Sequence, residues 1–165
     1  MGEKIKKVLK TLIKYTIIFI IVLNIVSYFK ALDLNKEKLD IQSFTLLDNS
    51  NYEVNNNKPL LVHFWATWCP ICKLEEKNIE NLSKDYEIIT IVTQSGSTKE
   101  IEEYLKKNNL SFKVVNDEYG DLSQKFNIKA FPTTFIYDKN QDLKFSEVGY
   151  TSTFGLKLRL WWSSF

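Results

Sequence analysis

Cysteine and histidine are nearly absent from this chain. Among 165 residues there are two cysteines, Cys69 and Cys72, and one histidine, His63. So few cysteines, so close together, exclude a structural disulfide framework, because a bridge between them would close a tiny loop and crosslink almost nothing. A self-contained zinc site is excluded as well: neither a second C-x-x-C nor a histidine pair is there to complete four ligands. An excess of one charge is also lacking. The formal net charge is +2, which gives no global drive toward nucleic acid, and the positive excess sits largely at the N-terminus. There is no internal repeat, and no low-complexity tract beyond the short Asn55-Asn56-Asn57 turn. What is there is enough chain for one domain plus a tail or anchor, with 44% hydrophobic and 14% aromatic residues to build a core. The cysteine pair must then be explained by chemistry or by packing.

The N-terminal segment M-G-E-K-I-K-K-V-L-K-T-L-I-K carries Lys4, Lys6, Lys7, Lys10 and Lys14, and the run from Tyr15 to Phe29 has no charge. That run is short for a bilayer span of about 20 residues. Lys14 and Lys30 can snorkel, however, so residues 12–32 can cross. Lysines ahead of the run predict a cytoplasmic N-terminus and an exported remainder. A cleaved signal peptide has the same basic and apolar regions, but Ser27-Tyr28-Phe29 offers no small-x-small cleavage site. The expected organisation is a basic cytoplasmic tail over 1–11, an uncleaved signal-anchor helix over 12–32, a charged spacer over 33–40 and a globular domain over 41–165. The expected location is the cytoplasmic (inner) membrane, single-pass, with the domain facing the periplasm or cell exterior.

In the globular part, Ser43–Leu47 and Tyr52–Val54 flank D-N-S-N as a hairpin. Pro59 opens L-L-V-H-F-W-A, a continuous apolar run suited to a central strand buried on both faces. Residues 70–86 read as a helix in which Ile71, Leu74, Ile79 and Leu82 share an apolar face, with Lys and Glu opposite. Glu87–Thr93 is a second buried strand. Ser97-Thr98-Lys99-Glu100 opens a helix whose apolar face holds Ile101, Tyr104 and Leu105. A short strand over 112–115, a short helix over 122–126, a hairpin of 133–137 with 143–148, and a helix over 153–162, whose L-K-L-R-L alternation also suits a strand, follow. This order predicts an α/β three-layer sandwich, with functional groups at the carboxyl ends of strands. The C-P-I-C segment falls at such an end.

A thiolate is the nucleophile in disulfide exchange, and a helix N-terminus offers unpaired amides and partial positive charge. The spacing puts Cys69 at the N-cap, with the amides of Ile71 and Cys72 aimed at its sulfur. Pro70 suits the first helical position. Cys72 falls one turn in, on the same face and deeper. One nucleophile and one resolver is the expected division, with the Cys69 pKa depressed and that of Cys72 raised. Two thiolates also suit copper(I), and a pair that merely packs is the bland alternative. A thiol peroxidase fits less well, since the second cysteine is only one turn away.

F-W-A-T-W-C-P-I-C together with the later A-F-P-T-T-F resembles the thioredoxin fold. The hairpin before the first central strand and the inserted helix-strand unit from Thr98 to Val115 resemble the membrane-anchored, extracytoplasmic thiol-disulfide oxidoreductases. The C-terminal V-G-Y-T-S-T-F-G-L-K-L-R-L-W-W is similar to the thioredoxin-like protein of the suppressor-of-copper-sensitivity group. The likeness spans residues 41–162. It implies a thioredoxin-like domain with an N-terminal hairpin and a central helix-strand insertion, preceded by one transmembrane helix.

The resemblance also implies roles for particular residues. Pro132 matches the family's cis-proline, which lies against the cysteines and, with its neighbours Phe131 and Thr133, offers backbone to substrate. Trp68 matches a tryptophan lining the contact surface, and Trp65 one that can equally be core. Glu75 matches an acidic position that assists proton transfer, against the reading of a solvated helix glutamate. His63 departs from the family, standing where thioredoxins carry a buried aspartate. It can shuttle the proton of Cys72 and, as imidazolium, favour the nearby thiolate, or be a neutral core histidine. Phe131 is a second departure, bulkier than the usual β-branched residue, and would narrow access to Cys69. The implied activity is disulfide exchange with exported protein substrates through Cys69 and Cys72, without organic cofactor or metal and without nucleic acid. The implied direction is reductive, fed by a membrane electron-donor protein. The alternatives are an oxidant of exported proteins or a membrane-tethered copper(I) module.

Overall fold

A computed structural model describes residues 2–32, Leu34 and 37–165, and within the first stretch the side chains of residues 6–19, 21, 22 and 25. The expected spacer over 33–40 and the last turns of the expected anchor lie partly outside these. The chain opens with helix α1 (Gly2–Leu32). Among the described residues no helix is both long and apolar enough to cross a membrane, so α1 does not by itself establish a span.

The domain then runs β1 (Ser43–Thr45), β2 (Asn51–Glu53), β3 (Leu60–Trp65), α2 (Pro70–Leu82), β4 (Glu87–Thr93), α3 (Thr98–Asn108), β5 (Val114–Asp117), α4 (Asp121–Lys125), β6 (Thr133–Tyr137), β7 (Leu143–Val148) and α5 (Thr153–Trp162). Strands β1 and β2 form a separate antiparallel hairpin, and the main sheet has the order β5-β4-β3-β6-β7. Strands β3, β4 and β5 are parallel, whereas β6 and β7 are antiparallel to their neighbours. Every residue of β3 is buried, as its unbroken apolar run requires of a central strand.

Strand alternation divides the core in two. Leu61 and Trp65 face a cluster with Cys72 and Ile79 of α2, Ile101 of α3 and Leu156 and Leu160 of α5. Val62 and Phe64 face the other cluster, with Leu34, Leu39, Phe44 of the hairpin and Phe126 after α4. The three layers are thus α2, α3 and α5, then the sheet, then α4 with the hairpin and the segment leading into it. Helix α3 is held at its start by a reciprocal capping box between Ser97 and Glu100, the arrangement its sequence signalled.

Two expectations about α2 need correction. It ends at Leu82, with Ser83 as C-cap, rather than continuing to Tyr86. Its inward face is also not the apolar set of Ile71, Leu74, Ile79 and Leu82. Ile79 and Leu82 are buried, but Ile71 and Leu74 are exposed, and Glu75, Glu76 and Glu80 are buried in their place. The reason is a set of tertiary partners invisible to periodicity. Glu76 accepts a hydrogen bond from Tyr104 of α3. Glu80 accepts from the backbone amides of Ser111 and Phe112 and from the Ser111 hydroxyl. Polar groups can be buried when hydrogen-bonded, and here Glu76 and Glu80 stitch α2 to its neighbours.

Candidate active site

Strand β3 ends at Trp65, and the chain turns through Ala66–Trp68 before α2 begins at Pro70. Cys69 is the N-cap, with extended backbone (φ −84°, ψ 115°) and Pro70 directly after it. The register between β3 and β6 sets Phe64 opposite Thr133, which brings the preceding Phe131–Pro132 to the same end of β3. The Phe131–Pro132 peptide bond is cis. Two stretches far apart in sequence thereby meet at Cys69: its thiol donates to the Phe131 carbonyl at 3.7 Å.

The two cysteines are free thiols, and both are buried. The backbone amide of Cys72 donates to Cys69 Sγ at 3.2 Å, the type of contact that stabilises a thiolate at a helix N-terminus. Only this amide makes the contact among the hydrogen bonds described, not the Ile71 amide that spacing also pointed to. Cys72 is 1% exposed. Burial, followed by its hydrogen bond with Cys69, pushes its thiol well above the ordinary cysteine range.

Glu75 is fully buried one turn beyond Cys72. It is therefore not a solvated helix glutamate. Its Oε1 accepts from the Thr151 amide at 3.2 Å, and its Oε2 is buried without a hydrogen-bond partner. Burial raises its pKa to about 8, against the smaller lowering effect of the Thr151 amide, so near neutrality the group is largely a neutral acid.

His63 lies on the face of β3 shared with Leu61 and Trp65, the side covered by α2. It is buried, and its Nδ1 lies 2.9 Å from Thr134 Oγ1 on the neighbouring strand. Burial lowers its pKa to about 3. The expectation of an imidazolium supporting the thiolate is therefore corrected: burial disfavours a charged ring here, and His63 is neutral at physiological pH.

Around the sulfur, Trp68 is 58% exposed. It is fixed by a bond from its Nε1 to the Gln94 carbonyl at 3.1 Å and by edge-to-face packing on Phe131, 5.7 Å between centroids. Phe131 is half-buried and forms one wall beside Cys69. Trp65 is core, packed on Tyr104 and Phe112. Pro132 and Thr133 are buried, with Thr133 Oγ1 donating to the Ala130 carbonyl at 2.8 Å. Sequence reasoning missed Glu76, whose pKa burial raises, and the role of Tyr104 as its donor. The signal was there: Glu75 and Glu76 stand three and four residues after Cys72, on one helix face with it.

Among the described residues no group of three or more histidine, cysteine, aspartate or glutamate side chains is gathered as metal ligands would be. The arrangement is suited to sulfur exchange: one sulfur at a helix end, a second beneath it, and a buried carboxyl and imidazole on the same side of the sheet.

Residues 29–146 match the model of the AhpC/TSA family. The chain is 31% identical over 165 residues to a thioredoxin-like protein of Haemophilus influenzae, covering 98% of each chain. It is 26% identical over 102 residues to sporulation thiol-disulfide oxidoreductase A of Bacillus subtilis, covering 58% of this chain and 62% of that protein. The crystal structure of StoA from Bacillus subtilis superposes with a TM-score of 0.64 at 22% identity, covering 71% of this chain and 93% of that one. This last likeness bears on the fold, which is thioredoxin-like. The chain belongs to the AhpC/TSA family and is a thiol-disulfide oxidoreductase of the thioredoxin-like type.

Proposed function

We propose that this chain is a membrane-anchored reductase of disulfides in exported proteins. The observation that carries the reading is the asymmetry of the cysteine pair: Cys69 at the N-cap receives the Cys72 amide, while Cys72 is buried with its thiol held protonated. In the reaction, Cys69 gives up its proton to solvent and its sulfur attacks one sulfur of a substrate disulfide. A mixed disulfide forms, the substrate bond breaks, and the departing substrate sulfur takes up a proton. Cys72 then passes its proton to the Glu75 carboxylate and attacks Cys69 Sγ. The Cys69–Cys72 bond forms, the mixed disulfide breaks, and the second substrate sulfur leaves, taking up a proton while Glu75 returns its own to solvent. Two electrons have moved from the enzyme dithiol to the substrate. A membrane protein with a dithiol returns them by the same exchange in reverse.

Trp68, Phe131 and the backbone at Pro132 and Thr133 form the rim on which a substrate segment rests. His63 acts as a neutral group beneath the site, positioned by Thr134. The anchor reading is supported by the lysines ahead of the apolar run and by exposed Val8, Leu12, Phe19 and Val22 along one side of α1. It places the domain outside the cytoplasm. The reductive direction, and reductive repair of exported proteins, copper-related ones included, over apocytochrome c reduction, rest on the resemblance of residues 41–162.

A Cys72→Ser variant expressed in intact cells should accumulate substrates on Cys69 through reductant-sensitive mixed disulfides. Absence of any such adduct would refute the exchange mechanism. Alkylation of the wild-type cysteines in growing cells should find them mostly reduced; a mostly oxidised pair reverses the direction. Failure to reduce insulin, together with one tightly held copper(I) per chain after anaerobic loading, would make the protein a carrier instead.

A further inference from the structure

Helix α5 has two apolar faces. Leu156 and Leu160 are completely buried against the sheet, whereas Phe154, Leu158, Trp161, Trp162 and, just beyond the helix, Phe165 are between 50% and 84% exposed. At 100° per residue the exposed set falls in one stripe on the side opposite the buried pair, on a helix about 15 Å long. Trp161 and Phe165 pack edge to face, 5.0 Å between centroids, so the stripe is continuous. Nothing in the described domain covers it. A helix surface this apolar is ordinarily buried or bound.

We infer that this face of α5 seats in the headgroup-acyl boundary of the bilayer that α1 enters, an inference that rests on the anchor reading above. Three observations select lipid as the occupant. First, the stripe is built of tryptophan, phenylalanine and leucine, the residues that partition into that boundary. Second, residues 151–165 contain no acidic residue, and with Arg159 paired to Glu147 the exposed Lys157 beside the stripe leaves it a positive flank that suits an anionic surface. Third, the tether is short. Leu34, two positions past the end of α1, is buried in the domain core, and α1 lies against edge strand β7. Helix α5 flanks the same strand: Arg159 pairs with Glu147 at 2.8 Å and sits over the Phe145 ring. The domain therefore cannot leave the membrane surface, and the helix beside its attachment carries the stripe.

The consequence is orientation. Thr151, at the entry to α5, bonds Glu75, and Asn78 of α2 reaches the Tyr150 hydroxyl. The seat of α5 thereby fixes the attitude of α2 and holds the Cys69 end at the height where a membrane partner can present its thiols.

The test uses the full chain reconstituted into vesicles of phosphatidylcholine and phosphatidylglycerol with brominated acyl chains. The expected result is that the protein floats with the vesicles and its tryptophan emission is strongly quenched. A Trp161→Phe/Trp162→Phe variant should lose most of the quenchable emission. A Phe154→Ser/Leu158→Ser/Phe165→Ser variant should float equally, reduce insulin normally and lose more than half of the quenching. Flotation with unquenched Trp161 and Trp162, including the case of a dimer that hides them, overturns the inference and leaves the anchor standing. Failure to float overturns both. Quenching unchanged by the triple substitution also overturns the inference.

Discussion

Replacing Glu75 by glutamine should leave the fold unaffected in acid and stabilise it in base, while slowing the second half of the exchange. Glutamine matches the protonated carboxyl in shape. Its carbonyl can take the Thr151 amide, and its amide nitrogen falls where Oε2 already lacks a partner. The carboxyl has an ordinary pKa of 4.5, raised in the folded protein to about 8. A group shifted upward in this way supports the folded state only while protonated. Its contribution is complete below about pH 4.5, erodes as the pH rises, and is exhausted above about pH 8. At roughly 1.4 kcal/mol per pH unit, the cost of ionising it in place reaches on the order of 5 kcal/mol by pH 9. Urea unfolding of wild type and Glu75→Gln at pH 5, 7 and 9 measures the difference directly, which should be small at pH 5 and grow to several kcal/mol at pH 9. In stopped-flow measurements of mixed-disulfide resolution, the wild type should accelerate toward pH 8 as the carboxylate forms, and the variant should lack that limb. A stability difference that does not change between pH 5 and 9 would refute the buried, raised carboxyl. Equal resolution rates at every pH would refute its role as proton acceptor.

His63 shifts in the opposite sense. Its folded pKa of about 3 lies below the ordinary 6.5, so its neutral form stabilises the fold above pH 6.5, and that contribution is lost as the pH falls toward 3. Wild type should lose stability against His63→Gln between pH 6.5 and 4 in urea titrations, and its exchange rate should show no histidine inflection between pH 5 and 8. Ser97→Ala removes the capping box of α3 and should destabilise the domain by about 1 kcal/mol, read as a lower urea midpoint with unchanged insulin reduction.

Much of the domain is legible along the chain. The apolar run of β3, the Pro70 that follows Cys69, the Ser97-x-x-Glu100 capping pair and the two late hairpin strands each carry their signal within a few residues. Helix ends and strand identity depend on such local chemistry, so their boundaries stand within a few positions of those expected. The inward face of α2 is the exception. Periodicity assigned it to the apolar residues, but Glu75, Glu76 and Glu80 won those positions because Thr151, Tyr104 and Ser111, remote in sequence, supply their hydrogen bonds.

By itself, then, the sequence determined the order of elements, the position of Cys69 at a helix start and the class of chemistry, since two cysteines one turn apart at a helix N-terminus are a local arrangement. The tertiary structure alone decided the proton chemistry around them. Whether His63 is charged, whether Glu75 is an acid or an anion at neutral pH, and how deeply Cys72 is hidden depend on desolvation. Desolvation is set by what α5, β6 and α3 pack over those groups, which no spacing along the chain reveals.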